Sequence, residues 1–98
     1  MIIVTGSITA QPSTLAPLRE LSLEHVHRSR TEPGCLLHSV HHDVEDPLTL
    51  TFIEHWEDRA ALDAHFRVPA SREFVAALSA LAASPPTMQI YDAAPLDL

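Results

Sequence analysis

The segment Phe52–Phe66 reads FIEHWEDRAALDAHF, and two periodicities meet in it. From Leu48 to Trp56 the spacing is that of a strand. From Asp58, whose carboxylate can cap a helix, the spacing turns helical. Side chains two apart on a strand share a face, so Leu50, Phe52, Glu54 and Trp56 point the same way. A helix folding back over that face would carry His65 toward Glu54 and Trp56. This corner therefore brings together a carboxylate, an indole N–H and an imidazole beside an apolar wall.

Upstream, the acidic loop Asp43-Val44-Glu45-Asp46-Pro47 has hairpin length, which sets Cys35–His42 antiparallel beside Leu48–Trp56. On that strand Leu36, His38, Val40 and His42 are expected on one face, with Leu37, Ser39 and His41 on the other. Pro33-Gly34 is a turn that closes a helix capped by Thr14, with Pro17 in its first turn. Leu15, Leu18, Leu21, Ser22, Val26 and Ser29 keep helical spacing there, while Arg19, Glu20, His27, Arg28 and Arg30 form the wet side. Ile2–Ile8 is a β-branched strand whose run Ile2-Ile3-Val4 suggests burial on both faces; Gly6-Ser7 reads as an irregularity in it.

Downstream, Pro69 interrupts the helical pattern, leaving one piece to about Val68 and another from Ser71 to about Ala83. Phe74, Val75, Leu78, Leu81 and Ala82 give the second piece an apolar stripe. Ser84-Pro85-Pro86 stops it, and Thr87–Asp92 is a last short strand before a terminal arm. The order β-α-β-β-α-β is the split arrangement of ferredoxin-like α+β folds, a four-stranded antiparallel sheet with two helices on one face. Ninety-eight residues suit a single domain, 1–98. Two helices cover one sheet face only, and the first strand and Ile53 leave the other partly apolar. A homodimer whose sheets face each other is therefore expected.

Composition removes several function classes. Thirteen acidic residues stand against six arginines and no lysine, so Schiff-base chemistry is excluded. The arginines are dispersed, which makes nucleic acid a poor partner. The two glycines, Gly6 and Gly34, cannot build a dinucleotide or phosphate loop. No apolar run approaches the ~20 residues of a membrane span, and the start lacks a signal-peptide pattern, so the cytosol is the expected compartment. The lone Cys35 reads as a buried, reduced thiol.

Seven histidines in 98 residues raise the question of a metal. His38 and His42 share a strand face but stand about 13 Å apart at ~3.3 Å per residue. His25 and His27 lie about 200° apart around a helix at ~100° per residue. With no H-E-x-x-H pair and no cysteine cluster, no metal is expected, and most of these histidines read as surface or half-buried groups. Ser7 lacks the G-x-S-x-G elbow of a nucleophilic serine. At the strand-to-helix corner two readings stand side by side. In one, Trp56 is core, His65 lies on a helix surface and Glu54 pairs with Arg59 or Arg72. In the other, the three form a site.

Glu32-Pro33-Gly34-Cys35, Glu54-x-Trp56, Leu62-x-x-His65 and the following Phe74 together resemble the antibiotic biosynthesis monooxygenase (ABM) family, whose members are small dimeric α+β barrels that include quinol monooxygenases. The resemblance spans nearly the whole chain in element order. It implies one pocket per subunit between sheet and helices, and oxygenation of an electron-rich quinol or polyphenol by dioxygen with no metal, flavin or haem. Such chemistry binds a flat ring, removes a proton, holds the oxyanion and excludes water. Histidine, with a reference pKa of about 6.5, suits the proton removal.

The expected roles are His65 as general base or orienting group, Trp56 as donor and stacking surface, and Glu54 as the holder of the histidine or a water. Phe52, Phe66, Leu78 and Leu81 would furnish pocket wall. The tyrosine often found three residues after the Pro-Gly-Cys cysteine is His38 here, which implies a more polar pocket or a second base. Haem-degrading relatives ligate iron through a histidine farther along the second helix, and Phe74-Val75-Ala76-Ala77 contains none. The same fold hosts other functions, so the alternatives are a non-catalytic dimeric ligand-binding or stress-associated module and an isomerase of a small oxygenated metabolite.

Overall fold

The computed structural model describes all residues 1–98. The elements run β1 (Ile2–Thr9), α1 (Leu15–Ser29), β2 (Cys35–His42), β3 (Thr49–Trp56), α2 (Arg59–Arg67), α3 (Pro69–Leu81) and β4 (Thr87–Asp92). The strands form one antiparallel sheet in the order β2-β3-β1-β4. This is the expected ferredoxin-like α+β arrangement, with the second helical region divided in two.

On β3 burial alternates residue by residue, and Leu50, Phe52, Glu54 and Trp56 are the buried set. Leu50 and Phe52 join Ile8 of β1, Leu18 and Val26 of α1, and Phe74 and Leu78 of α3 in the main core. A smaller cluster of Val4, Trp56 and Leu62 lies toward the other end of the strand. Along β3, Glu54 falls between Phe52 and Trp56, so a carboxylate separates the two apolar clusters. Burying each large apolar side chain contributes roughly 1.5–3 kcal/mol, and the helices are held to the sheet chiefly this way.

Proline and aspartate set the helix boundaries. Asp58 caps α2 as its sequence suggests, accepting the Ala61 N–H at 2.9 Å. Val68 closes α2 and opens α3 with φ −63° and ψ 124°, the extended backbone favoured before a proline. Helix α3 then starts at Pro69 itself rather than at Ser71, because a proline at the first helical position gives up only an N–H that would have no intrahelical partner.

Four local expectations are corrected. Thr14 precedes α1 without capping it; its hydroxyl accepts the Gln11 N–H at 3.0 Å and donates to the Leu81 carbonyl at 2.8 Å, tying the start of α1 to the end of α3. The register of β2 on β3 shifts between Cys35 and Leu37, so Leu36 bulges out and does not share the inner face with His38. Val75 is 57 % exposed and leaves the α3 stripe to Phe74 and Leu78. Gly6 is no irregularity: β1 pairs continuously with β3 from Ile2 to Thr9. It lies between Val4 and Ile8 on the inner face and simply adds no side chain there.

Gly34, in the turn before β2, has φ +82°, and a Cβ there would meet the Ala61 Cβ at 2.5 Å. Backbone strain and a clash with the first turn of α2 therefore act together. Gly34→Ala is expected to destabilise the fold by about 3 kcal/mol, read as a lower urea midpoint. Adding Ala61→Gly should recover only the part due to the contact. An unchanged midpoint in the single variant would contradict this account.

Candidate active site

The buried polar groups gather around Glu54. Trp56, two residues along the same strand face, donates its Nε1–H to Glu54 Oε1 at 2.8 Å. His38 is the cross-strand partner of Glu54 in the β2–β3 register, with Nε2 at a long 3.5 Å from the same oxygen. From above the sheet comes His65, which with Leu62 forms the buried edge of α2; its Nε2 stands 4.0 Å from Glu54 Oε1. Burial pushes the Glu54 carboxyl up, but His38 as hydrogen-bond partner and charge, the Trp56 N–H and His65 outweigh it. The net effect holds the carboxyl below its usual range.

The second nitrogen of His65 has its own partner. Nδ1 lies 2.9 Å from Oε1 of Glu32, in the turn after α1. A carboxylate oxygen accepts, so Nδ1 carries the proton and Nε2 of the neutral ring keeps a free lone pair. A third buried imidazole, His25 of α1, stacks on Phe74 of α3 with ring centroids 3.9 Å apart and planes 6° from parallel. Its Nδ1 is 2.7 Å from Nη2 of Arg28, one helical turn along. Arginine only donates, so His25 Nδ1 must accept, and the ring's proton sits on Nε2. Burial, then the neighbouring His38, His65 and Arg28, lower the His25 pKa to about 3. This imidazole is therefore neutral at any physiological pH.

Four of the seven histidines are exposed or half-buried, as expected of most of them, while His25, His38 and His65 are buried, at 5 %, 1 % and 3 % exposure. One ligand atom from each lies within 4.8 Å of the others, which renews the question of a metal. Arg28 argues against one. Its guanidinium occupies the His25 lone pair and places a fixed positive charge beside the cluster, so an incoming cation would have to displace it. Both ring nitrogens of His38 are sealed from solvent, Nδ1 with no partner and Nε2 with only the long 3.5 Å approach to Glu54 Oε1.

Against this polar cluster opens a cavity of about 540 Å³, within the usual size range of small-ligand sites. His25, Glu54 and His65 give its polar end, while Phe52, Phe66, Phe74, Val75 and Leu78 supply apolar wall. Its floor includes Gly6, flanked by Val4 and Ile8. Of the residues proposed from sequence, the structure thus brings His65, Glu54, Phe52, Phe66 and Leu78 to one cavity. Trp56 and His38 lie outside it, fully buried behind Glu54, and Leu81 packs against the main core instead. Glu54 pairs with neither Arg59 nor Arg72.

Three contributors were not singled out from sequence: His25, Glu32 and Gly6. For His25 a signal existed, because Leu18, Ser22, His25 and Ser29 recur at i, i+4, i+7 and i+11 and all four are buried. Glu32 stood in a recognised motif with no role attached. Cys35 is partly buried, and burial followed by the charges of Glu32 and Glu54 pushes its thiol up, so it is a poor nucleophile.

Fold and site together define a small α+β protein with a buried acid–base cluster at one end of an apolar cavity. The sequence pattern of the antibiotic biosynthesis monooxygenases matches residues 1–77. The chain belongs to that family. It is 38 % identical over 90 residues to the uncharacterized protein sll1783 of Synechocystis sp., covering 92 % of this chain and 61 % of that one. The chain thus spans about three-fifths of that relative's length. A crystal structure described as an antibiotic biosynthesis monooxygenase has a TM-score of 0.88 at 33 % identity, over 97 % of this chain and 100 % of the other. A Deinococcus radiodurans protein provisionally given the same name has a TM-score of 0.94 at 28 % identity, over 100 % and 97 % of the two chains.

The neutral burial of His25 has a consequence for stability. Its folded-state pKa lies below the unfolded value of about 6.5, so the unfolded chain takes up this proton first as pH falls. The contribution is complete above about pH 6.5 and is lost as pH falls toward about 3. At pH 5 the loss from this group is about 2 kcal/mol. His25→Phe, which can keep the stack on Phe74, should make the urea midpoint fall correspondingly less between pH 7 and pH 5 than in wild type. Parallel curves for the two proteins would show that His25 does not bind its proton this way.

Proposed function

We propose that the chain is a monooxygenase that oxidises a quinol or polyphenolic aromatic with dioxygen, without metal, flavin or haem. One observation supports this most: the Glu32–His65 hydrogen bond leaves an unprotonated Nε2 at the polar end of an aromatic-lined cavity. A hydroxyl delivered there loses its proton to Nε2, and the resulting imidazolium lies between two carboxylates, Glu32 at 2.9 Å and Glu54 at 4.0 Å. Deprotonation makes the ring a better one-electron donor to dioxygen. A quinol and one dioxygen then give a hydroxyquinone and one water, every electron coming from the substrate. A ring seated against the apolar wall would cover the polar end of the cavity and limit the water that reaches it.

Trp56 serves this reading differently from the expectation above. Its N–H is committed to Glu54 and it has no face on the cavity, so it positions the carboxylate and does not touch substrate. A homodimer belongs to the same proposal. Leu36 at 60 %, Met88 at 56 %, Ile90 at 49 % and Tyr91 at 47 % exposure leave apolar surface on the bulge and the edge strand, of a kind that association buries. Light scattering should give twice the chain mass of 10.8 kDa; a monomer at high micromolar concentration would refute that part.

The enzymatic part is tested by oxygen uptake with chelator-treated, flavin-free protein and a panel of reduced quinols and polyphenols, against a blank without protein. Uptake above the blank, with a product heavier by one oxygen and lighter by two hydrogens, is expected. His65→Ala should lower kcat/KM by about 100-fold or more, the range for loss of a general base. Gly6→Val should raise KM, because its side chain would project into the cavity floor, starting from a Cβ already 3.1 Å from the Thr87 carbonyl oxygen. Uptake equal to the blank across the panel, or an unimpaired His65→Ala, would overturn the proposal.

A further inference from the structure

We propose that His25 is the residue that holds the substrate oxyanion, as a neutral Nε2–H donor whose tautomer is locked by Arg28. Opposites are paired across the cavity's polar end. His65 and His25 both line the cavity, with ring centroids 5.3 Å apart. The partner of His65 is a carboxylate, which takes the Nδ1 proton and leaves Nε2 a lone pair. The partner of His25 is a guanidinium, which donates to Nδ1 and leaves Nε2 a proton. With His65 neutral, one ring accepts from the ligand and the other donates to it.

No protein acceptor lies within hydrogen-bond reach of His25 Nε2, and that atom is not among the polar atoms sealed from solvent. Its N–H is therefore available to whatever fills the cavity. Two hydrogen bonds of about 2.8 Å to a shared oxygen can bridge nitrogens up to ~5.6 Å apart, and nitrogens of the two rings come within 4.8 Å. The spacing of the rings thus leaves room for a single phenolic oxygen between them. Its O–H bond breaks and an N–H bond forms at His65 Nε2. The electron pair stays on the oxygen, which His25 Nε2–H then holds.

The remaining charges facing the pair are compatible with this. Glu54 from β3 would repel a phenolate on its own, but it accepts the Trp56 N–H, and the imidazolium formed at His65 neutralises it further. His38 from β2 and Arg28 from α1 add no negative charge, and Phe74 from α3 only stacks. Protonating His25 would break its bond to Arg28 and set two cations side by side, so the donor stays neutral and cannot take the proton intended for His65. Neutral imidazole as an electrophile is an established way to stabilise a developing oxyanion. Arg28 is in this scheme a positioning residue: it acts through His25, and its second bond, to Ser71 Oγ at 3.3 Å, anchors it to α3.

The proposal rests on the phenol-binding half of the function above and is independent of the oxygen chemistry. It is tested with 4-nitrophenol, a redox-inert phenol whose ionised form absorbs visible light. In wild type, binding should ionise the probe at a pH one unit below its own pKa. His25→Phe, which keeps the stack on Phe74, should still bind the neutral probe within about twofold but lower its bound ionisation constant at least tenfold. His25→Gln, which can return a donor near the same place, should restore part of that.

Arg28→Ala, which releases the tautomer while burial still keeps His25 neutral, should lower the bound ionisation constant severalfold, and Arg28→Lys, which keeps a donor to Nδ1, should restore part of it. Equal loss of neutral and ionised binding in His25→Phe would make His25 a packing residue and overturn the proposal. Unchanged ionisation in that variant, or no binding by wild type, would overturn it as well. His25-dependent ionisation without quinol oxidation would leave this inference standing while the oxygenase reading fell. Quinol oxidation indifferent to His25 would do the reverse.

Discussion

A carboxylate stands on the core face of a central strand, and much of this structure follows from having to accommodate it. Glu54 occupies a position that the alternation of β3 buries, where an unpaired charge would cost several kcal/mol. The strand supplies one donor itself, because the residue two along on the same face is Trp56. The neighbouring strand supplies His38 by register, and the covering helix supplies His65. The carboxylate remains ionised because these groups outweigh the effect of its burial. A small protein thus gives up continuity of its apolar core and acquires a buried, organised set of polar atoms.

That division shapes both stability and chemistry. The larger cluster carries Phe52, Phe74 and Leu78, which also serve as cavity wall, so the same side chains hold α3 to the sheet and bound the ligand space. The smaller cluster packs Trp56 under Val4 and Leu62 and thereby fixes the indole that fixes Glu54. Part of the ligand space is kept open by an omission: β1 places glycine between Val4 and Ile8 on the cavity floor.

The fold was legible in the sequence because its signals are local. The alternation from Leu50 to Trp56, the Asp58 cap, the Pro33-Gly34 turn and the prolines at 69, 85 and 86 each mark a boundary by backbone chemistry alone. The shared face of Glu54 and Trp56 was legible for the same reason. What escaped depends on tertiary register. The bulge at Leu36 inserts a residue without any glycine or proline to announce it. His25 lies on the buried stripe of α1, which was read through Ser22, Val26 and Ser29 without it, because an imidazole is at home there only once Arg28 and Phe74 receive it. Glu32 acquires its role only when α2 lies close enough for His65 to reach the turn. Trp56 shows the opposite failing: its type suggested a donor to substrate, yet its own strand neighbour takes that proton.

The two cavity histidines show how one side-chain type can be given opposite roles. An imidazole in isolation exchanges its proton between nitrogens and titrates near neutrality. Here each ring is held in one tautomer by a partner of opposite charge, a carboxylate behind His65 and a guanidinium behind His25. The carboxylate fixes the proton of His65 on Nδ1, whereas burial, the neighbouring histidines and the guanidinium disfavour a second proton on His25. Giving two adjacent groups different proton-handling roles is what acid–base assignment in an active site requires. Neither ring could achieve it by itself, and His38 stands near both, with ring centroids 5.2 Å from His25 and 5.8 Å from His65. The opposite tautomers come from the outer pair, Glu32 and Arg28, which bracket the end of α1, while burial is the largest cause of the low proton affinity of His25.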